Sequence, residues 1–129
     1  MKIVMLTPSF PSYNGDVQSP FVYQLCKTMI DMGHDLKVVC PNYAGSKKDL
    51  DIEKNTRRFR YMWPKRFQTL TSEGGIPSGL KKGRWAKIQF PFFCLFFLIK
   101  SLANTRKCDV IHAHWTLSGL MGVLCKKIW

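Results

Sequence analysis

Short apolar runs alternate with an amphipathic segment along the start of the chain. Residues 2–7 and 36–40 are apolar and partly β-branched, and a proline follows each run. Runs of this length and composition are typical of buried strands. Between them, apolar residues recur at helical spacing over residues 21–32. The pattern predicts a strand, a helix and a second strand, which is the unit from which parallel sheets are built.

The residues on either side of the helical segment predict where the helix begins and ends. Ser19 and Pro20 precede it, and this pair is typical of an N-cap followed by a proline at the first helical position. Gly33 follows the last periodic residue and predicts a left-handed C-cap. We therefore expect a short loop to return the chain from the helix to the second strand.

The remainder of the chain predicts two more strands and two more helices. Residues 58–62 and 109–113 are expected to be strands, and residues 85–103 and 118–129 are expected to be helices. The predicted fold class is α/β, with a Rossmann-like parallel sheet in the order 3-2-1-4 and flanking helices. A doubly wound sheet normally continues with further strand–helix pairs. We therefore expect residues 1–129 to be the front part of a larger domain, with a bare edge on the fourth strand.

The charge is concentrated in one part of the chain. The formal net charge is +12, and residues 54–107 hold 13 Lys and Arg residues against a single acid, Glu73. Basic residues beside aromatic ones suit an anionic partner, either a membrane surface, phosphates or a nucleic acid; the alternative is a solvated basic face without a partner. No motif of an RNA- or DNA-binding module is present, so we expect no nucleic-acid partner.

Within this block we expect a mobile basic loop at residues 64–87, because residues 71–83 are rich in glycine, proline and serine. The candidates for contact with a membrane surface are Lys81, Lys82, Arg84 and Lys87. Four phenylalanines can enter the interface or, as the alternative, pack in a core; they are Phe92, Phe93, Phe96 and Phe97. The longest apolar stretch, residues 90–99, is shorter than the about 20 residues of a spanning helix.

The cysteines and the N-terminus indicate in which cellular compartment the protein is expected. The five cysteines are odd in number, widely spread and without a CxxC pair. This pattern favours reduced, partly buried thiols in a cytosolic protein over a disulfide framework or a zinc site. The N-terminus has no small-residue cleavage site, so we expect no signal peptide.

Two segments are expected to meet at the carboxyl ends of the strands. In the order 3-2-1-4 the strand order reverses between strands one and four, and open parallel sheets bind ligands at that point. The loop of residues 8–20 and residues 112–115 both arrive there. The loop contains Asn14, Gly15 and Asp16 ahead of a helix N-terminus, where backbone amides favour an anion. The alternative is an ordinary surface turn, since the sequence is neither GxGxxG nor a P-loop.

His112 and His114 lie two residues apart, so an extended strand places them on one face. No third ligand cluster accompanies them, and we expect no metal there. His112 follows Val110 and Ile111, which favours a buried structural role. His114 falls at the end of the strand, where its side chain can reach the ligand crevice.

Four stretches resemble one family. The run MKIVMLTPSFP, the tripeptide NGD, the segment FVYQLCKTMIDMGHDLKVVCP and the later DVIHAHWTLSGLMG are similar to the N-terminal domain of the family-4 retaining glycosyltransferases. The resemblance covers about residues 1–43 and 108–125. It implies the GT-B fold, in which two Rossmann-like domains face a cleft. It also implies a nucleotide-diphosphate sugar as donor substrate, a glycan or lipid-linked acceptor, and no obligatory metal or other cofactor.

The resemblance also implies roles for single residues. Gly15 matches the first glycine of the family's loop near the donor phosphates, and Asp16 stands where many members have a second glycine. His114 matches the family's active-site histidine, which faces the transferred sugar, and Trp115 is expected on the acceptor side. The C-terminal domain of the family holds most of the donor site and a glutamate pair.

The expected function is therefore the N-terminal, acceptor-side part of a retaining glycosyltransferase. The chain alone is expected to be inactive, because a C-terminal GT-B domain in cis or in trans must complete the cleft. The expected location is cytoplasmic, at the inner face of the membrane. The alternative is a non-catalytic membrane- or partner-binding subunit of a split glycosyltransferase.

Overall fold

The chain forms a four-stranded sheet with helices packed on it. A computed structural model describes residues 1–11, 19–42, 51–61 and 84–129. Its elements are β1 (Lys2–Leu6), α1 (Pro20–Asp31), β2 (Asp35–Pro41), a 3-10 turn (Glu53–Asn55), β3 (Thr56–Phe59), α2 (Arg84–Thr105), β4 (Val110–Ala113) and α3 (Trp115–Ile128). The predicted alternation of strands and helices is confirmed.

The four strands are parallel and lie in the order β3-β2-β1-β4. β1 is central, since Met5 pairs with Val38 of β2 on one side and with His112 of β4 on the other. The predicted α/β class and strand order are confirmed. Because all strands are parallel, the carboxyl ends of β1 and β4 lie side by side.

Helices cover both faces of the sheet, and each face has its own apolar core. On one face, Ile3 and Met5 of β1 pack with Val22 and Cys26 of α1. On the other face, Val4 and Leu6 pack with residues from α2 and α3, among them Phe93, Phe97 and Met121. Burial on both faces explains why β1 is a continuous apolar run without alternation. Each fully buried side chain of this size contributes about 1.5–3 kcal/mol to folding.

The termini of α1 differ in part from the prediction. Ser19 does precede the helix, but its backbone is left-handed (φ 45°) and its side chain makes no capping hydrogen bond. Its hydroxyl instead donates to Ser9 Oγ at 3.0 Å. The predicted N-cap position and the proline at the first helical position are confirmed, but the Ser19 side chain bonds to the loop after β1 and not to the helix. Gly33 has φ 90°, which confirms the left-handed C-cap.

α1 buries fewer of its periodic residues than the spacing suggests. Val22 and Cys26 are fully buried, whereas Phe21 and Met32 are 60% and 69% exposed. Met32 lies beyond the last helical residue, Asp31. Phe21 lies in the first turn, where the helix starts at the edge of the sheet. Both residues lie at the ends of the helix and not along its middle, so helical spacing alone does not bury their side chains.

Two boundaries in the basic block also differ from the prediction. β3 spans Thr56–Phe59 and not residues 58–62, because a 3-10 turn leads directly into it and Thr56 Oγ1 donates to the Ile52 carbonyl. α2 begins at Arg84, so residues 84–87 of the predicted mobile loop form the first turn of a helix. Residues 64–83 lie outside the described residues.

The phenylalanines of α2 divide between its two sides. Phe93 and Phe97 are fully buried, with ring centroids 5.2 and 5.0 Å from that of Phe59. Phe96 is partly buried against the same core, and Phe92 is exposed. In the described ranges, one segment of α2, Lys87–Thr105, has the length and apolar composition to cross a membrane. The expectation that no stretch is long enough is therefore wrong by those two criteria.

All five cysteines lie in the described residues and are free thiols. Cys26, Cys40 and Cys125 are buried, and Cys94 and Cys108 are partly buried. Burial raises the pKa of Cys26 to about 12 and that of Cys40 to about 11, so both thiols stay protonated at neutral pH. The expectation that the thiols are at least partly buried is confirmed.

β4 forms the open edge of the described sheet. Its strand partner in the described part of the chain is β1, and Val110 is 39% exposed. A groove of about 560 Å³ runs along the other side of β4, where Ile111 and Ala113 face Gly122 and Val123 of α3. The groove lies beside the strand and not at the strand ends, so it is distinct from the crevice predicted to bind a ligand.

Candidate functional site

The carboxyl ends of β1 and β4 meet as the strand order predicts. Leu6 pairs with Ala113, and the His114 amide donates to the Leu6 carbonyl at 2.9 Å. The Thr7 amide in turn donates to the Val39 carbonyl of β2 at 3.1 Å. The chain therefore leaves β1 and β4 at adjacent points, at the end of the sheet where the carboxyl ends of the strands lie. Gly15 and Asp16 lie outside the described residues.

The described ends of the loop after β1 are fixed at this edge. Thr7 is fully buried, and its hydroxyl donates to the Ser9 carbonyl at 2.7 Å. The Ser19 hydroxyl donates to Ser9 Oγ, which joins the start of the loop to the start of α1. The residues on both sides of the segment 12–18 are thus attached to each other beside β1.

Arg58 holds the same loop from the side of β3. Its side chain is only 3% exposed, and it donates to the Pro11 carbonyl at 2.7 Å. It also forms a two-point ion pair with Glu53, with Nε 2.7 Å from Oε1. Arg58 belongs to the basic segment 54–107, but its charge is paired with Glu53 inside the fold and is not presented at the surface.

His114 stands at the centre of the site. Its ring stacks on that of His112, with centroids 4.8 Å apart and planes 21° apart. Its Nε2 is buried and has no hydrogen-bond partner among the described residues. Partial burial, and secondly the neighbouring His112, lower the pKa of His114 below its ordinary value of 6.5. The imidazole is therefore neutral at pH 7, so one of its ring nitrogens is a hydrogen-bond donor and the other an acceptor.

The structure corrects the expectation for His112. The two histidines do share a face, as predicted, but His112 is only partly buried because β4 is the edge strand. Its role is to stack on His114 rather than to fill a core. In the parts of the chain that the structure describes, no group of three or more metal-ligating side chains occurs.

Two exposed aromatic rings border His114. Phe21 of α1 lies 6.4 Å from the His114 ring, and Trp115 of α3 lies 6.0 Å from it, centroid to centroid. Phe21 and Trp115 contact each other edge to face at 5.8 Å. Trp115 is 47% exposed, so both rings present apolar surface to the solvent side of the crevice. Such surface can pack on the C–H faces of a sugar ring.

Two helix N-termini also lie at the carboxyl ends of the strands, beside His114. α1 and α3 begin here, neither has an acidic residue in its first turn, and neither N-cap side chain makes a capping hydrogen bond. The positive ends of both helix dipoles therefore favour an anion. In the first turn of α1, Pro20 has no N–H and the Val22 amide donates to the Ser19 carbonyl at 3.1 Å, so the donor there is the Phe21 amide. In the described ranges, the two non-glycine residues with positive φ are Ser19 (45°) and Trp115 (68°), each at the start of one of these helices. Such strain tends to occur at functional sites.

Two of the candidates for membrane contact, Arg84 and Lys87, are exposed in the first turn of α2. Lys81 and Lys82 lie outside the described residues. Ser118, one turn after His114, is fully buried, and its hydroxyl has no partner among the described residues. Two buried polar atoms at the start of α3, His114 Nε2 and Ser118 Oγ, thus have no hydrogen-bond partner in the described part of the chain.

Sequence reasoning missed two residues of this site. The helical spacing places Phe21 on the periodic face of α1, although its position next to Pro20 in the first turn is the signal that it lies at the end of the helix. Arg58 is one of the 13 basic residues of the segment 54–107. No local signal marks its burial, because its partners, Pro11 and Glu53, come from other segments.

Comparisons of the chain with protein-family models, with curated proteins and with solved structures find no match. The site is therefore characterised by its own geometry. It consists of a neutral histidine, two exposed aromatic rings and two uncapped helix N-termini at the junction of β1 and β4.

Arg58→Met is expected to lower the free energy of unfolding by about 3 kcal/mol, because it leaves the Glu53 carboxylate and the Pro11 carbonyl without their donor. Urea unfolding measures the change. The control is Lys27→Met, since Lys27 and Asp51 form an ion pair of the same 2.7 Å length that is about 40% exposed. The control is expected to lose less than about 1 kcal/mol. Equal losses in both variants would contradict the role given to Arg58.

The free energy of unfolding is expected to decrease as the pH is lowered, and protonation of His114 accounts for part of the decrease. Its pKa in the folded state lies below its ordinary value of 6.5, so the unfolded chain takes up the proton first. The stabilisation is complete above pH 6.5 and is lost as the pH falls further. His114→Gln is therefore expected to show a smaller difference in stability between about pH 7.5 and about pH 5.5 than the parent chain. Parallel pH profiles of the two proteins would show that His114 is not the group responsible.

Proposed function

We propose that this chain is the acceptor-side, N-terminal part of a retaining glycosyltransferase. Its donor substrate is a nucleotide-diphosphate sugar, and its acceptor is a lipid-linked or envelope glycan. The observation that carries the proposal is the position of His114. A neutral imidazole, whose Nε2 has no hydrogen-bond partner among the described residues, lies at the junction of β1 and β4 next to the N-termini of α1 and α3. This combination supports a ligand that carries both a diphosphate and sugar hydroxyls.

The helix N-termini suit the leaving group of sugar transfer. When the bond between the anomeric carbon of the sugar and the diphosphate oxygen breaks, negative charge develops on the diphosphate. Preorganised backbone N–H groups stabilise such charge. The first turns of α1 and α3 supply such donors and carry no competing carboxylate. In this proposal Gly15 and Asp16 belong to the loop that contacts the donor phosphates and sugar. The reaction as proposed requires no metal and no cofactor beyond the donor substrate.

His114 and the aromatic rings suit the sugar. His114 Nε2 is proposed to hydrogen-bond a hydroxyl of the transferred sugar and so to orient its anomeric carbon toward the acceptor. Trp115 is proposed to lie on the acceptor side, with Phe21 as its neighbour. Because both rings are exposed in this chain, sugar binding would remove apolar surface from water.

The described residues form one wall of the crevice. Phe21 and Trp115 are exposed on the side that a ligand must approach, so the described residues do not enclose a sugar nucleotide. We therefore propose that a C-terminal GT-B domain, in cis or in trans, supplies the opposite wall and most of the nucleotide contacts. The chain by itself is proposed to lack turnover.

The proposed location is cytoplasmic, at the inner face of the membrane. Free thiols at all five cysteines fit a reducing compartment. A second function is favoured by the exposed apolar residues of α2, among them Phe92, Leu95 and Ile99. In that function the chain is a non-catalytic subunit that binds a membrane or a partner for a separately encoded glycosyltransferase.

An activity assay of the completed enzyme separates these functions. The chain is joined to, or mixed with, its donor-binding domain and is supplied with a panel of nucleotide-diphosphate sugars and a membrane glycan extract. His114→Ala is expected to lower kcat/KM about 100-fold, since it removes a group that positions the sugar. The release of nucleoside diphosphate measures turnover.

The matched control is His34→Ala, because His34 lies at the opposite edge of the sheet, where Nδ1 is 3.4 Å from the Met1 amino group. It is expected to leave kcat/KM unchanged. Full activity of His114→Ala in an enzyme that still needs this chain would support the non-catalytic subunit. No turnover with any donor of the panel would contradict the proposed transfer.

A further inference from the structure

α2 carries a continuous apolar stripe on its outer side. Five large side chains recur at alternating steps of three and four residues, and each is between 43% and 52% exposed. They are Trp85, Ile88, Phe92, Leu95 and Ile99. At 1.5 Å per residue, the stripe is about 21 Å long. A helix of a soluble domain normally presents polar residues on this side.

The opposite side of α2 already supplies the contact with the sheet. Its buried residues recur every four positions, and they are Gln89, Phe93, Phe97, Ser101 and Thr105. Phe93 and Phe97 pack on Phe59 of β3. The outer stripe is therefore not needed to attach α2 to the domain. α2 is apolar on two sides, and only one of them faces the core.

The charges of α2 indicate what covers the stripe. The helix contains Arg84, Lys87 and Lys100 and no acidic residue. It lies in the segment 54–107, which carries 13 basic residues and one acid; of these, Arg58 is paired with Glu53 inside the fold and does not add to the surface charge. An apolar stripe bordered by cations only is complementary to a surface that is apolar in its interior and anionic at its edge. A membrane with anionic headgroups is such a surface.

We propose that the outer stripe of α2 binds an anionic lipid membrane, with the helix lying in the plane of the interface. Trp85, Phe92, Leu95 and Ile99 enter the boundary between headgroups and acyl chains, and Arg84 and Lys87 contact the anionic headgroups. The proposal does not rest on sugar transfer, because it concerns a different surface and a different ligand.

Two other occupants fit the observations less well. A second copy of the chain would bring two molecules of net charge +12 together through their basic segments, which repel each other. A membrane-spanning α2 would have to leave the sheet, although its Phe93 and Phe97 are fully buried there. It would also expose Gln89, Ser101 and Thr105 to lipid, which is costly for polar side chains.

Vesicle binding of the full 129-residue chain tests the proposal. The probes are vesicles of phosphatidylcholine alone and of phosphatidylcholine mixed with phosphatidylglycerol. The parent chain is expected to bind the mixed vesicles more tightly and to be released by added salt. Leu95→Gln is expected to weaken the partition coefficient about fivefold, because half of a leucine side chain leaves the interface. Lys87→Gln is expected to weaken it by a similar factor.

The matched controls change exposed residues away from the stripe. Met32→Gln removes a 69% exposed apolar side chain at the end of α1, which packs on the opposite face of the sheet. Lys54→Gln removes an exposed charge from the 3-10 turn. Both controls are expected to bind vesicles as the parent does, and circular dichroism establishes that all variants fold alike.

Three results would overturn the proposal. The first is equal vesicle binding by Leu95→Gln and Met32→Gln. The second is a self-association in sedimentation velocity that Leu95→Gln abolishes while vesicle binding is unchanged, which would identify a second copy as the occupant. The third is a bound chain that alkaline carbonate does not extract, which would identify a spanning helix.

Discussion

The pairing of β1 with β4 is the constraint on which the site depends. One hydrogen bond, from the His114 amide to the Leu6 carbonyl at 2.9 Å, fixes the residue that follows β4 against the last residue of β1. The loop after β1 and the start of α3 consequently leave the sheet side by side. The directions of α1 and α3 follow, because a helix that begins at a strand's carboxyl end points its amide dipole to that edge.

The site combines this geometry with the absence of competing charge at its helix ends. Neither α1 nor α3 has an acidic residue in its first turn, so no carboxylate competes there with an anion. In α1 the Phe21 amide is the first-turn donor, since Pro20 has no N–H and the Val22 amide donates to the Ser19 carbonyl. His114 remains neutral because burial and His112 both disfavour its protonation. The positive charge of Arg58 is neutralised by Glu53, so Arg58 does not form a competing anion site. Its second role is to hydrogen-bond the loop at the Pro11 carbonyl. The surface charge of the basic segment is then left to exposed residues such as Arg84 and Lys87.

Local patterns predicted the strands, their order and the place of His114, because a buried parallel strand and a proline-led helix each have a signature within a few residues. They did not predict the contacts between distant segments. The Ser19 hydroxyl bonds to Ser9 and not to its own helix, and the burial of Arg58 depends on Pro11 and Glu53. Composition also could not separate Phe92 from Phe93. Only the packing of α2 on Phe59 decides which ring is buried.

The central claim is that the junction of β1 and β4 binds an anionic diphosphate, and an NMR titration of the chain with inorganic pyrophosphate tests it most directly. We expect the amides of Phe21 and Trp115 and the ring of His114 to shift together. Thr116→Glu, which places a carboxylate in the first turn of α3, should weaken binding several-fold, whereas Thr28→Glu, at an exposed position near the end of α1, should not. Shifts confined to exposed lysines, or equal affinity in both variants, would contradict the account.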